Sequence, residues 1–234
     1  MEKQEKSLAM SSNQLKILAL IAMTADHVGL MLLPGCQILR IIGRLAFPIF
    51  AYMIAEGCRY TSHKARYLGM VLGIGILCQL VYFFTMRSVY QCILITFAMS
   101  ISIIFILQWA RQKDGLRWLG FLAVCLASVF LCLILPQLLK GTDYCIDYGL
   151  TGVMLPVLIY LADTRPCRLL AAGIGLILVA LEAGGIQWFG LLALLPLALY
   201  DGARGKLRLK YLFYIYYPLH LAVIWAVGML LNRM

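Results

Sequence analysis

Apolar runs, each close to the length of one membrane span, follow one another from Leu15 onward, separated by short polar stretches that hold most of the charge. A helix needs about 20 apolar residues to cross the hydrocarbon core. Backbone donors and acceptors in lipid must be satisfied internally, which leaves helices and closed barrels as the only spanning structures. Barrel strands would show segments of about ten residues with alternating hydrophobicity, and these runs are longer and do not alternate. The chain therefore reads as an all-α polytopic transmembrane helical bundle. Its composition, 63% hydrophobic and 13% charged with a mean hydropathy of +0.91, lies outside the range of soluble domains.

Nine spans are expected, at about 15–33, 41–57, 66–85, 91–109, 116–135, 148–162, 168–183, 186–200 and 211–231. The sixth to eighth are short, and the tight turn EAGGIQW leaves open a re-entrant course there. Residues 15–234 are expected to form one membrane-embedded domain after a polar segment, 1–14, which carries both charge signs. The first run is too long for a leader peptide and reads as a retained helix.

The distribution of positive charge tests this division. With the N-terminus cytoplasmic, the inner segments are 1–16, 58–66, 110–117, 163–168 and 201–210. They contain every Lys and Arg except Arg40, Arg44, Arg87, Lys140 and Arg233, and cytoplasmic loops are the ones that carry excess Lys and Arg. A cytoplasmic N-terminus and an outside C-terminus follow. The net charge of +10 thus reports topology, and no nucleic-acid partner is expected. The eight cysteines are scattered without CxxC or metal-ligand spacing; they read as small apolar residues in helix contacts, and no metal is expected.

Charged residues within such spans cost about 2.5 to 3.5 kcal/mol at the helix centre and are functional-site hypotheses by default. They are few: Asp26 and His27 in the first span, Arg44 and Glu56 in the second, and His220 in the ninth. At a rise of about 1.5 Å per residue, His27 lies about 16 Å beyond Lys16, and His220 lies at a similar depth beyond Lys210, so the two histidines are level near the midplane. Asp26 and His27, as successive helical residues, point about 100° apart and make a poor direct pair. Arg44 is expected to reach Asp26 across the short hairpin, which would leave His27 free for chemistry. A purely architectural Asp26–Arg44 pair is the competing reading.

Arg40, Arg44, Pro48, Tyr52 and Glu56 recur every fourth residue and should share one slowly turning polar face. Tyr216 and Tyr217 stand four and three residues before His220, giving the last span a polar face in YIYYPLHL. Three function classes fit these residues. One is a group-transfer enzyme with His27 as general base, another a proton-coupled small-solute transporter in which Asp26, His27 and Glu56 relay protons, and the third a non-catalytic subunit that binds a partner.

LKILALIAMTADHVG, LRIIGRLAFPIFAYMIAEG, YGLTGVMLPVLIYL, LLALLPLALYDGARGK and KYLFYIYYPLHL occur in this order between Leu15 and Trp225. Together they resemble the successive blocks of the TraX family, bacterial membrane proteins named for N-acetylation of F pilin and similar to the integral-membrane acyltransferases. The resemblance implies an acetyltransferase that takes its acetyl group from cytoplasmic acetyl-CoA. It maps the catalytic histidine onto His27, with Asp26, Arg44 and Glu56 beside it and His220 as a second candidate; Arg40, Tyr52, Tyr216 and Tyr217, from the polar faces above, are expected in support. The phosphates of acetyl-CoA would then be met by the inner basic residues Arg59, Lys64, Arg66, Arg204, Lys206 or Arg208. Members of the family tend to carry an acidic, Pro-containing stretch resembling EIPFD after the third span, whereas this chain has QLVYFF over 79–84. The acceptor is accordingly open between a pilin-like peptide amine, an amino sugar and a surface glycan, alongside the membrane lipids as surroundings.

Overall fold

The computed structural model describes residues 9–112, 115–205 and 210–231. All nine expected segments contain helix: α1 Ser12–Met31, α2 Gln37–Gly43, α3 Ala46–Tyr60, α4 Lys64–Met86, α5 Ile93–Ala110, α6 Leu116–Val129, α7 Leu135–Leu138, α8 Gly149–Leu161, α9 Arg165–Ala183, α10 Leu194–Ala198 and α11 Lys210–Leu230. Among the described residues no strand forms, only two isolated bridges, Met10 with Tyr200 and Gln91 with Ile146. Six stretches of the described residues are long and apolar enough to cross a membrane: 12–31, 37–60, 64–84, 93–110, 116–138 and 165–183. The apolar helices at 149–161, 185–198 and 215–230 are shorter.

Local chemistry explains the boundaries. Ser11 and Gln14 close a capping box at the start of α1, the Gln14 side chain accepting from Ser11 N at 2.8 Å while Ser11 Oγ accepts from Gln14 N. The second span, expected as one helix over 41–57, is instead interrupted by a turn at Arg44–Leu45. Pro48 is the physical reason. Its ring would strike the carbonyl of the residue four earlier, which is Arg44, and it offers no N–H to that carbonyl. Placed at the third position of α3, Pro48 costs no hydrogen bond, because first-turn N–H groups are unpaired in any helix. Pro136 acts similarly: the helix widens into a π turn over Phe130–Ile134 just before it. The seventh segment is longer than expected, beginning at Arg165 with Pro166 in its first turn, where proline is tolerated. The eighth opens as a 3₁₀ helix, Gly185–Ala193, entered through two successive glycines at φ 66° and 53°, a backbone region that favours glycine.

The chain forms two compact units, Met1–Met53 with Ala180–Met234, and Ile54–Val179. In the first, α1 packs against α2 and α11, and the 3₁₀ helix packs against α2. Two glycines allow the close approach of α1 and α2: a Cβ on Gly43 would overlap the Asp26 side chain, and one on Gly29 would lie 2.9 Å from Leu39 Cβ. Small residues of this kind let helix backbones come together in lipid. In the second unit α5 is central, packed by α4, α6 and α8, with Ile101, Ile103, Ile104 and Leu107 buried. Its hydroxyls bond neighbouring backbone: Thr96 Oγ1 donates to Asp147 O at 2.8 Å, and Ser100 Oγ lies 2.7 Å from Val153 O. By contrast α6 exposes Leu119, Leu122 and Leu126 to more than half their area, an outward apolar face suited to acyl chains rather than water.

A polar clasp joins the two connections at one end of the second unit. Asp143 accepts from Ser88 Oγ at 2.5 Å and Val89 N at 2.9 Å, while Tyr90 donates to Asp147 at 2.6 Å. Those two donors hold the Asp143 carboxyl below the ordinary aspartate range.

Candidate functional site

The polar residues of the first unit converge where α1 passes α2. Asp26 accepts from both arginines at once: Arg40 Nη1 lies 2.8 Å from Oδ2, and Arg44 Nη2 bonds Oδ1. The sequence expectation of an Asp26–Arg44 ion pair is thus met, with Arg40 as a second cation. The helix break shapes this grip. Arg44 closes α2, and its Nε donates to Arg40 O at 3.2 Å, so both guanidiniums leave one short helix toward the same carboxylate. Two guanidiniums on one carboxylate leave a surplus positive charge, at side-chain exposures of 25% for Arg40, 17% for Asp26 and 7% for Arg44. Gly190 approaches the break, where an added Cβ would lie 3.6 Å from Arg44 O.

His27 takes no part in this ion cluster. Its Nδ1 lies 2.8 Å from Met23 O and 3.3 Å from His220 Nε2, so the two histidines that stand level in the sequence meet in space. His220 is buried, and its own Nδ1 lies 2.9 Å from Tyr216 O. A carbonyl oxygen can only accept, so in the neutral forms both histidines carry their hydrogen on Nδ1. His220 Nε2 then has the lone pair that faces His27, and His27 Nε2 is left basic. Tyr216 stacks on the His220 imidazole at 5.3 Å between centroids and 6° between planes, and Tyr217 meets the same ring edge-on at 5.6 Å. The Tyr216 hydroxyl lies 2.7 Å from Thr24 Oγ1, whose own hydrogen goes to Leu20 O at 2.8 Å. α11 is therefore keyed to α1 at two levels.

The other expected residues have partners of their own. The Arg40, Arg44, Pro48, Tyr52, Glu56 stripe is not one continuous helical face, because the turn at Arg44–Leu45 interrupts it. Tyr52 is 1% exposed and meets Tyr200 edge-on at 6.0 Å. Glu56 pairs with Arg168 Nη1 at 2.5 Å, and Arg168 Nη2 donates to Asp163 O at 2.9 Å. In the sequence Arg168 falls where the inner segment 163–168 meets the seventh span, and its position two residues after Pro166 is the signal that could have marked it as a helix residue with a partner. Arg59 Nη2 donates to Tyr160 O at 2.7 Å and Ala162 O at 2.8 Å, capping α8, as cations favour a helix C-terminus. Lys64 Nζ sits 5.8 Å from the Phe105 ring centroid, while Arg66 and Arg204 are exposed. Lys206 and Arg208 lie outside the described residues. Thr24 and the Met23 carbonyl, which complete the histidine pair, were not singled out from the sequence; Thr24 lies one turn before His27, a position shared by one helix face.

Comparison with known proteins places this arrangement. Protein TraX of Escherichia coli is 26% identical over 225 residues, covering 92% of this chain and 86% of its own length. The probable fimbrial assembly protein FimC, serogroup H1, of Dichelobacter nodosus is 26% identical over 248 residues, covering 97% of this chain and 99% of its own. An uncharacterized protein of Rickettsia prowazekii (strain Madrid E) is 40% identical over 98 residues, 39% of either chain. No solved structure matches the chain. The model of a family described as TraX protein matches residues 11–228, an interval that contains the Asp26 cluster, both histidines and all the helices described except the last two residues of α11, and the chain belongs to the TraX family.

Proposed function

We propose that the protein is an integral-membrane acetyltransferase that moves an acetyl group from acetyl-CoA to an amine or hydroxyl acceptor. The observation that carries this reading is the division of labour between Asp26 and His27. The carboxylate is occupied by Arg40 and Arg44, while the imidazole, held through Nδ1, keeps Nε2 as an unprotonated nitrogen. Such a nitrogen suits general-base work. His27 Nε2 takes the proton from the acceptor N–H or O–H as that atom attacks the thioester carbonyl. The surplus positive charge of Arg40 and Arg44, with the tyrosines of α11, favours the oxyanion of the tetrahedral intermediate. Collapse breaks the C–S bond, and the departing thiolate takes the proton back from His27, leaving acetylated acceptor, coenzyme A thiol and the original imidazole.

Acetyl-CoA enters this scheme as a substrate. Its phosphates call for basic side chains at the cytoplasmic ends of helices, and Arg66 and Arg204, both exposed, are separate candidates for them. Arg59 is engaged at the end of α8, which favours a packing role for it. The names of two relatives, TraX and a probable fimbrial assembly protein, support a pilin-like peptide amine as the acceptor, with an amino sugar or surface glycan as the other chemistry that the QLVYFF departure leaves open. We assign the chain to a bacterial inner membrane with nine crossings, the N-terminus cytoplasmic and the C-terminus outside.

The test uses the full chain in proteoliposomes with acetyl-labelled acetyl-CoA and a pilin-derived peptide or amino sugar. His27→Ala is expected to remain membrane-inserted and to lose transfer by about 100-fold or more, the usual contribution of a general base. Undiminished transfer overturns the assignment. Proton-driven solute uptake with no acetylated product would favour the transporter instead.

A further inference from the structure

We propose that His220 is a positioning residue for His27: its Nε2 accepts the His27 Nδ1 hydrogen, aims the basic Nε2 of His27 away from the pair, and takes up that hydrogen when His27 is protonated. The proposal rests on the acetyltransferase reading and extends it to a residue 193 positions away in sequence.

The geometry leaves little choice of hydrogen placement. His27 Nδ1 faces two acceptors, Met23 O at 2.8 Å and His220 Nε2 at 3.3 Å. His220 cannot donate from Nε2 in its neutral form, because its Nδ1 hydrogen is committed to Tyr216 O at 2.9 Å. The hydrogen between the rings therefore belongs to His27. The two acceptors differ in chemistry. A carbonyl can orient the imidazole but cannot take its proton, whereas a second imidazole can do both. When His27 Nε2 captures the acceptor's proton, the imidazolium can share its charge by passing the Nδ1 proton to His220 Nε2. His27 then holds one hydrogen on Nε2, placed for return to the leaving thiolate, and the His220 proton goes back to His27 Nδ1 as the thiolate is neutralised. No proton is gained or lost over the cycle.

Neighbouring contacts hold His220 for this task. The Tyr216 ring lies nearly parallel to it, at 6°, and the Tyr216 hydroxyl is anchored to Thr24 on the helix that carries His27. The rings of His27 and His220 meet edge-on, 4.9 Å between centroids and 74° between planes, which keeps His27 Nδ1 beside His220 Nε2 at 3.3 Å. Other charged groups around His27 do not substitute for His220, since Asp26 is occupied by Arg40 and Arg44.

The experiment combines a structural and a kinetic readout on the full chain in nanodiscs. With three histidines in the chain, ¹⁵N labelling of histidine alone gives a sparse spectrum. His27 is expected to show a protonated Nδ1, an unprotonated Nε2 and a through-hydrogen-bond coupling from its Nδ1 to His220 Nε2 that disappears in His220→Phe. In acetyl transfer, His220→Phe is expected to lower kcat by about 10- to 100-fold, within the range of acid–base contributions, with KM for acetyl-CoA unchanged. His220→Gln, whose side-chain oxygen accepts but does not take up a proton, is expected to recover part of that loss. A His27 protonated on Nε2 at rest, or full turnover in His220→Phe, overturns the proposal while leaving the acetyltransferase reading intact. Coupled histidines in a wild-type protein that transfers no acetyl group overturn that reading and the catalytic role of the pair together, leaving the hydrogen bond alone.

Discussion

Asp26 illustrates how one residue in lipid is made tolerable and useful at once. A carboxylate among apolar side chains needs compensating charge and hydrogen bonds, and Arg40 and Arg44 supply both. Removing it by Asp26→Ala should destabilise the folded protein in detergent by about 3 kcal/mol, because breaking a buried ion pair strands the partner charge. The two arginines should differ. Arg44, at 7% exposure, should cost more stability as Arg44→Gln than Arg40→Gln, whose side chain is 25% exposed; a thermal-shift series in detergent orders them, and an inverted order refutes this account. Asp143 gives the pH-dependent counterpart outside the spans. Its carboxyl is lowered by the Ser88 side chain and Val89 N, so the folded state binds this proton less readily than the unfolded chain. The clasp therefore contributes stability above the ordinary aspartate value and loses it as pH falls through the lower folded value. Ser88→Ala should raise the Asp143 titration point toward the ordinary value, readable by carboxyl NMR, with no change expected in acetyl transfer.

Elements here are shaped by prolines and glycines more than by helix propensity. Pro48 divides the second span at the residue whose carbonyl it would strike, and the resulting turn lets Arg40 and Arg44 approach Asp26 from a short helix. Gly43 does the complementary work, since the space a Cβ would fill is taken by the Asp26 side chain. Gly43→Val should therefore push α2 from α1, break the Asp26 grip and lower stability by about 2 kcal/mol or more, as overpacking does. Gly35→Ala is the control, for its added Cβ meets nothing within 4 Å, and comparable losses from the two substitutions would defeat the argument. The turn before Pro48 was not legible in the sequence, because a proline can be absorbed by a kink, a π turn or a full break. The helix widens into a π turn before Pro136 and breaks before Pro48, while Pro156 and Pro218 lie inside α8 and α11.

For the whole molecule, crossing number and orientation are linked by parity. Nine crossings put the termini on opposite sides, whereas crossings by the six long stretches alone would put them on the same side. A C-terminal reporter active only outside the cytoplasm, paired with a cytoplasmic N-terminal tag, is expected; a cytoplasmic C-terminus would remove the nine-span topology. Two contacts of the polar cluster were legible in the sequence. The Asp26–Arg44 pair followed from a hairpin too short to part them, and the shared depth of His27 and His220 followed from counting residues from flanking lysines. The sequence alone determined the helical class and the positions of the apolar segments, and it set the expectation that His27 and His220 stand level, because helical rise fixes height along a span. Tertiary structure alone decided that α11 meets α1, that Arg40 joins Arg44, that Glu56 takes Arg168, and which nitrogen of His27 is free. Apolar helices in lipid have no hydrophobic preference among neighbours, so lateral pairing is left to close packing at glycines and to a few hydrogen bonds, whose geometry exists only once the helices are assembled.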